Sequence, residues 1–324
     1  MNRKRILIVS GFSAFFTAGG GEEEAASLCR ALNLEGYSAE LYGPNVSQLE
    51  SYNYVIYFSC HPSGLELLDS CRDLGVNFIL WPNLWFEHNS KLQENQVKVI
   101  NKYCELSDKI ILKSKTEEEI FNKNFILNKE NILRINWFVD PPVENITLQD
   151  RFRSLYGLEN YILSVGLIEP EKNQLAIIKA IHDLNKKLVL IGGYRKKEYF
   201  EKCVEVSAES VLFIPHQPSN SPILQAAYAG CDTYVEVSFD PPGRSAIEAA
   251  FYEKPLVFSS SEWTKELFYG TATMVDPSDV TSIRNGIINT TPSESSRTKD
   301  WKEKNLKYHL PAAALKSLFD YLKY

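Results

Sequence analysis

The chain has 324 residues, of which 44% are hydrophobic and 23% charged, a globular balance that excludes a disordered or fibrous protein. Its 35 Lys and Arg against 41 Asp and Glu leave a net charge of −6 at pH 7, which argues against a protein that grips nucleic acid mainly by charge. At roughly 150 residues per domain, the length corresponds to about two domains, each large enough for its own core.

Residues 6–10 are a short β-branched run, and the basic start before them precedes too few apolar residues for a secretory signal. A helical spacing of Ala25, Ala26, Leu28, Cys29 and Leu32 follows over 22–33. The spacing then predicts strands at 39–42 and 54–59, a helix at 65–74, a strand at 77–81, a helix at 94–106 and a strand at 109–113. Asp140-Pro141-Pro142 and the polar stretch to about 150 form a linker, because consecutive prolines continue neither a helix nor a central strand.

The second half repeats the alternation. Strands are predicted at 161–165, 187–191, 211–214, 233–237 and 255–259, with helices at 174–184, 198–206, 222–228 and 245–252. The tail is charged from Ser295 and ends in a helical face of Ala313, Leu315, Leu318, Phe319 and Leu322. Short apolar strands alternating with amphipathic helices predict parallel sheets covered on both faces. The expected fold class is α/β, with two Rossmann-like doubly wound domains facing a central cleft, where a ligand binds by default. The expected division is 1–148, 149–305, and a C-terminal helix in 306–324 that crosses back to the first domain.

The six cysteines are scattered, without a C-x-x-C pair or a zinc spacing, and read as buried reduced thiols. No stretch approaches 18 uninterrupted apolar residues. The expected location is cytoplasmic, with the inner face of a membrane left open.

Four motifs fall in one order along the chain. Gly19-Gly20-Gly21-Glu22 follows the first strand, and Asn136-Trp137-Phe138-Val139-Asp140 precedes the linker. Val165-Gly166-Leu167-Ile168-Glu169-Pro170-Glu171-Lys172 opens the second half. Asp240-Pro241-Pro242-Gly243-Arg244-Ser245-Ala246-Ile247-Glu248 places two carboxylates with seven residues between them at a strand–helix junction. Together they resemble the Gly-Gly loop, the N-G-V-D segment, the V-G-R-L-x-x-E-K element and the E-x7-E element of retaining glycosyltransferases of the GT-B fold, particularly glycosyltransferase family 4. Four departures bear on the donor. Asp240 replaces a Glu and draws the carboxylate back by about 1.5 Å. Leu167 stands where the family usually has an Arg that binds the diphosphate. Pro82-Asn83 occupies the region where many members carry a His. Pro241-Pro242-Gly243-Arg244 is stiffer than the usual Gly-Phe-Gly-Leu.

The resemblance implies transfer of a hexose-type sugar from a nucleotide-diphosphate sugar, UDP- or GDP-linked, to a hydroxyl of a glycan or lipid-linked acceptor. It implies retention of configuration, no obligatory metal and no cofactor. Charge building on the departing phosphate needs cations and backbone amides. Lys172 is the expected cation, and Arg244 is the candidate to replace the one missing at Leu167, with the following helix N-terminus adding its N–H groups. Glu248 is expected to hold the nucleotide ribose and Asp240 the donor-sugar hydroxyls. The donor set expected is Gly20, Gly21, Gly166, Lys172, His216, Gly243, Arg244, Ser245 and Glu248, with Lys172, Asp240 and Arg244 as the catalytic group. His61, Asn83 and Trp85 are candidates for the acceptor or donor sugar.

Plainer readings stand beside these. Lys172 and Arg244 read equally as exposed surface cations, Glu248 as a capping-box partner of Ser245, and Asp240 as a turn former before proline. Histidines His61 and His216 follow strands, where loop histidines are common. Trp81, Trp85 and Phe86 read as core packing, or as an acceptor platform or membrane-facing edge. Thr17-Ala18-Gly19-Gly20-Gly21 does not spell a dinucleotide fingerprint, so a dehydrogenase is disfavoured. Glycoside hydrolysis is disfavoured because both carboxylates sit in one turn and helix rather than flanking a bond from separate strands. A catalytically silent GT-B subunit that stabilises a partner, and a nucleotide-sugar epimerase, are the alternatives.

Overall fold

The computed structural model describes residues 3–11, 16, 19–84, 92–141, 148–207, 209–219, 221–241 and 243–323. The chain divides into two compact units. One comprises Met1–Phe16, Gly21–Trp137 and Pro311–Tyr324, and the other Thr17–Gly20 and Phe138–Leu310.

The first unit holds β1 (Arg5–Val9), β2 (Ser38–Leu41), β3 (Tyr54–Phe58), β4 (Asn77–Trp81), β5 (Lys109–Leu112) and β6 (Ile132–Arg134). All pairs are parallel, in the order β2-β1-β3-β4-β5-β6. Runs such as Tyr54–Phe58, buried at every position, form central strands because both faces are covered. Helices Gly20–Leu34, Leu65–Leu74, Glu94–Leu106 and Lys115–Asn124 make the crossovers. Leu7, Val55, Leu68, Phe78, Tyr103 and Leu112 are among the residues of one continuous apolar core.

The second unit repeats the plan with β7 (Tyr161–Val165), β8 (Lys187–Ile191), β9 (Val211–Ile214), β10 (Thr233–Glu236), β11 (Leu256–Ser259) and β12 (Thr273–Val275), in the parallel order β12-β11-β10-β7-β8-β9. Ile162, Ile177, Leu190, Val235, Val257 and Ile283 lie at its core. The fold is therefore α/β with two Rossmann-like units, as the alternation predicts. Each sheet changes direction once, between β1 and β3 in the first and between β7 and β10 in the second. In parallel sheets, ligands bind outside the carboxyl ends of the strands at such a reversal.

The predicted tail helix is divided at Leu315 into Pro311–Ala314 and Lys316–Leu322. Leu318, Phe319 and Leu322 are buried, Phe319 stacks on Tyr37, and Ser317 Oγ donates to the Arg134 carbonyl at 2.6 Å. The last residues thus belong to the first unit. Trp81 is fully buried and stacks on Phe58 with ring centroids 4.5 Å apart, which places it in the core. Trp85 and Phe86 lie outside the described residues.

The six cysteines are free, and five of them are buried. Burial pushes Cys71, Cys104 and Cys231 up to about 12 and Cys203 up to about 11, so these thiols stay protonated near neutrality. We expect a thiol reagent at pH 8 to titrate at most Cys29 in the native protein and all six after unfolding. Rapid native modification of several thiols would contradict the packing.

Candidate functional site

The reversal between β7 and β10 sets three segments side by side. After β7 the chain turns through Gly166, at φ +150°, a backbone region that favours glycine. Gly192, after β8, lies so close to the Gly166 carbonyl that no side chain fits there. A short 3-10 turn, Pro170–Lys172, then leads into Asn173 in the left-handed conformation at φ +59°. The Asn173 amide donates to the carbonyls of Val237 and Pro277 at 3.1 and 2.8 Å, and Phe239 N–H donates to the Glu171 carbonyl at 2.9 Å. These bonds pin the Lys172 turn to the segment that follows β10.

As a result the Lys172 ammonium stands 3.5 Å from the Asp240 carboxylate, with the two side chains 24% and 30% exposed. Lys172 therefore has a fixed anionic neighbour and remains open to solvent, unlike a freely solvated surface lysine. Burial raises the Glu169 carboxyl above its ordinary range, while the charges of Arg195 and Lys172 oppose that rise. Arg195, in the loop after β8, is a cation of this neighbourhood that the motifs do not mark. Its signal is the Gly192-Gly193-Tyr194-Arg195 run at a strand's carboxyl end. A hydrogen bond from Lys196 lowers Glu171.

The helix Arg244–Phe251 starts after Gly243, and among the described residues no side chain caps its N-terminus. Ser245 does not form a capping box with Glu248. Its hydroxyl instead donates to Glu236 Oε2 at 3.0 Å, which also accepts from the Tyr234 hydroxyl at 3.0 Å. Glu236, at the end of β10, is thus a buried acceptor that organises this corner. Sequence reading passes it over because one Glu in an apolar strand carries no motif.

Arg244 is placed differently from the expectation of a solvent-facing phosphate cation. Its side chain is 4% exposed, with the guanidinium 3.3 Å from Asp140 and donating to the Phe138 carbonyl at 2.7 Å. A buried guanidinium needs its charge and donors matched; residues 138–140 take the two terminal amino groups, while Nε is buried without a hydrogen-bond partner among the described residues. Arg244 is therefore a tie between this helix and the segment Phe138–Asp140. Leu167, which stands at the position where the motif usually has an Arg, is buried.

Glu248 is half-buried, beside a cavity of about 20 Å³ lined by Asp140, Ser219, Gln225, Tyr228, Phe251 and Tyr252. That volume suits about one water molecule. Burial and then the charge of Glu248 raise the Tyr228 and Tyr252 phenols, so both stay protonated. His216 is half-buried after β9, three residues before Ser219.

Apart from Gly20, which is grouped with the second unit, the remaining candidates lie in the first unit. Gly20 and Gly21 open the helix Gly20–Leu34, and Gly21 abuts the Asn83 side chain, whose backbone is left-handed at φ +45°. The structure thus brings Gly21 and Asn83 together. His61 is exposed, with Nδ1 2.8 Å from Ser63 Oγ. Trp85 lies outside the described residues. Among the described residues no group of three His, Cys, Asp or Glu is placed to hold a metal ion, and no helix is long and apolar enough to cross a membrane.

Residues 146–308 match the family model of glycosyl transferases group 1. The chain is similar in fold to sucrose-phosphate synthase from Thermosynechococcus elongatus, at a TM-score of 0.80 and 16% identity over 99% of both chains. It is also similar to HepE from Anabaena, in complex with UDP and glucose, at 0.78 and 15% over 99% of this chain and 100% of that one. A glycosyltransferase from Rickettsia africae gives 0.75 and 13% over 100% and 98%. At these identities the likeness is one of fold. No curated protein matches the sequence.

Proposed function

Since the chain belongs to the glycosyl transferases group 1 family, we propose that it moves a hexose-type sugar, with retention, from a nucleotide-diphosphate sugar to a hydroxyl of a glycan or lipid-linked acceptor. The observation that carries this reading is the convergence of Lys172, Asp240 and the helix Arg244–Phe251 at the reversal between β7 and β10. Loss of a diphosphate leaving group concentrates negative charge on its β-phosphate, and a fixed ammonium with a helix N-terminus stabilises that charge. In this reading Lys172 is the principal phosphate contact, Arg195 is the second cation in place of the one absent at Leu167, and no metal or cofactor takes part. Asp240 accepts from donor-sugar hydroxyls, and Glu248 accepts from the nucleotide ribose. Gly166 and Gly243 admit the ligand to the backbone, with Ser245 beside them and His216 toward the base. The structure of HepE with UDP-glucose supports a UDP-linked hexose as the first donor to try.

We expect Glu248→Ala to weaken UDP binding at least tenfold by calorimetry, as for loss of a charged hydrogen-bond acceptor worth about 1.5–3 kcal/mol. Unchanged affinity removes Glu248 from the ribose site. A second reading is a catalytically silent member, favoured by the burial of Leu167 where the family carries a cation. Product formation by the purified chain with a panel of UDP- and GDP-sugars and hydroxyl acceptors separates the two.

A further inference from the structure

The ladder between β7 and β10 stops before either strand ends. It pairs Thr233 with Ile162 and Tyr234 with Leu163, whereas β10 continues to pair with β11 as far as Glu236 with Phe258. Beyond that point side chains join the strand ends. The Tyr234 hydroxyl lies 3.0 Å from Glu236 Oε2 and 3.4 Å from the Val165 carbonyl, so its proton is shared between the two strands. Ser245 Oγ, in the first turn of the helix Arg244–Phe251, donates to the same Oε2 at 3.0 Å. The intervening loop is held as well. Ser238 Oγ donates to the Asp240 carbonyl at 3.0 Å, and Ser259 Oγ to the Ser238 carbonyl at 2.6 Å. One carboxylate oxygen thus links the strand that leads to Gly166, the strand that leads to Asp240 and the start of the helix.

The chemistry of this oxygen fixes the direction of its partners. Glu236 is 7% exposed, and among the described residues its partners are neutral hydroxyls. A strand residue that served packing alone would be apolar. Burying a carboxylate is costly, and two hydroxyls with the positive end of a helix offset that cost. An ionised carboxylate only accepts, so both hydroxyl protons point at it. Tyr234 remains a donor, because burial and then the Glu236 charge push its phenol well above its ordinary range. Ser245, with its proton on Glu236, has only lone pairs to offer elsewhere and does not donate to a phosphate. An anion at this helix is therefore received by backbone N–H groups, and the Ser245–Glu236 bond sets their aim.

We propose that Glu236 is a positioning residue: through Ser245 and Tyr234 it fixes the first turn of the helix Arg244–Phe251 against the end of β7. The backbone N–H groups are then already aimed when charge develops on the leaving phosphate. This role rests on the proposed function.

The test compares Glu236→Leu, Glu236→Gln, Ser245→Ala and the Leu–Ala double variant in the full chain. Turnover at saturating donor, donor KM, UDP affinity by calorimetry and the thermal melt are measured for each. Glu236→Leu is expected to lower turnover about tenfold or more while donor KM changes less than about threefold, because the aim matters most in the transition state. Glu236→Gln keeps an oxygen that accepts both hydroxyls and is expected to stay within about threefold of wild-type turnover. Ser245→Ala breaks the same bond from the other side, so the double variant should be no slower than the slower single one. A merely structural Glu236 would lower the melting temperature and leave the turnover of the folded variants unchanged.

The inference is overturned by wild-type turnover in folded Glu236→Leu, by Glu236→Gln as impaired as Glu236→Leu, or by losses that multiply in the double variant. If Glu236→Leu does not fold, Ser245→Ala is set against Ser245→Thr, which keeps the hydroxyl. Loss with Ala and recovery with Thr is then the expected result, and equal turnover in the two overturns the role. A wild-type chain that neither binds UDP nor transfers sugar overturns the transferase reading and this role together. A wild type that does both, beside unimpaired variants, overturns this role alone.

Discussion

With a saturating nucleotide-sugar donor, Lys172→Ala is expected to lower turnover by about 10²-fold or more, equivalent to roughly 2.7 kcal/mol of lost transition-state stabilisation. The size follows from preorganisation. Lys172 ends a 3-10 turn whose next residue, Asn173, is fixed by two hydrogen bonds to the Val237 and Pro277 carbonyls. Removing the ammonium therefore deletes a charge from a backbone that stays in place. Asp240, 3.5 Å away, keeps the side chain directed to one side of the turn. Lys172→Arg should recover part of the rate, because it restores the charge without the same point geometry. The check is turnover at saturating donor beside UDP affinity: a phosphate contact used mainly at the transition state lowers kcat more than it weakens UDP. Near wild-type turnover in Lys172→Ala would remove this residue from the chemistry.

Lys113→Met is expected to destabilise the protein by about 3–5 kcal/mol, the cost of leaving one member of a buried ion pair without its partner. Lys113 and Glu24 are 3.0 Å apart and each side chain is 1% exposed. The ammonium also lies 3.9 Å from the centroid of the Trp137 ring, and Glu117, itself buried, accepts from the Lys113 backbone N–H. Without the lysine, the Glu24 carboxylate is buried with its Oε1 already lacking a hydrogen bond, and a second carboxylate stands nearby. Replacing both members by Met and Leu should recover much of the loss, since apolar residues of similar volume commonly match a buried pair. Urea unfolding of the two single variants and the double variant measures this. A single-variant cost below about 1 kcal/mol would contradict the burial and pairing described.

Central strands announce themselves because they are buried on both faces: 77–81, 161–165 and 187–191 are read from sequence at the bounds the structure shows. The edge strands β6 and β12 escape that reading, having three residues each and only partial burial, too little for a periodic pattern. The helix Lys115–Asn124 is polar along most of its length and also escapes, although Ser114 capping the Glu117 N–H is a signal that sequence carries. At the site, Lys172 and Asp240 are legible because a local motif places them at strand ends. The burial of Arg244 is not legible, because its partners Phe138 and Asp140 lie more than a hundred positions away. Glu24 and Lys113, 89 positions apart, are hidden for the same reason. Long-range pairing decides whether a charged side chain faces water or its partner, and no neighbouring residue records that choice.

The central claim, a nucleotide-diphosphate site built around Lys172, is tested most directly by thermal melting of the intact chain with UDP, GDP, ADP and CMP. A ligand bound only by the folded state adds about 2.7 kcal/mol at a hundred times its Kd. For a domain of this size that corresponds to a rise of roughly 5–10 °C in Tm. The predicted result is a saturable rise with UDP or GDP that Lys172→Ala reduces. A flat melting temperature with every nucleotide at millimolar concentration would contradict the account.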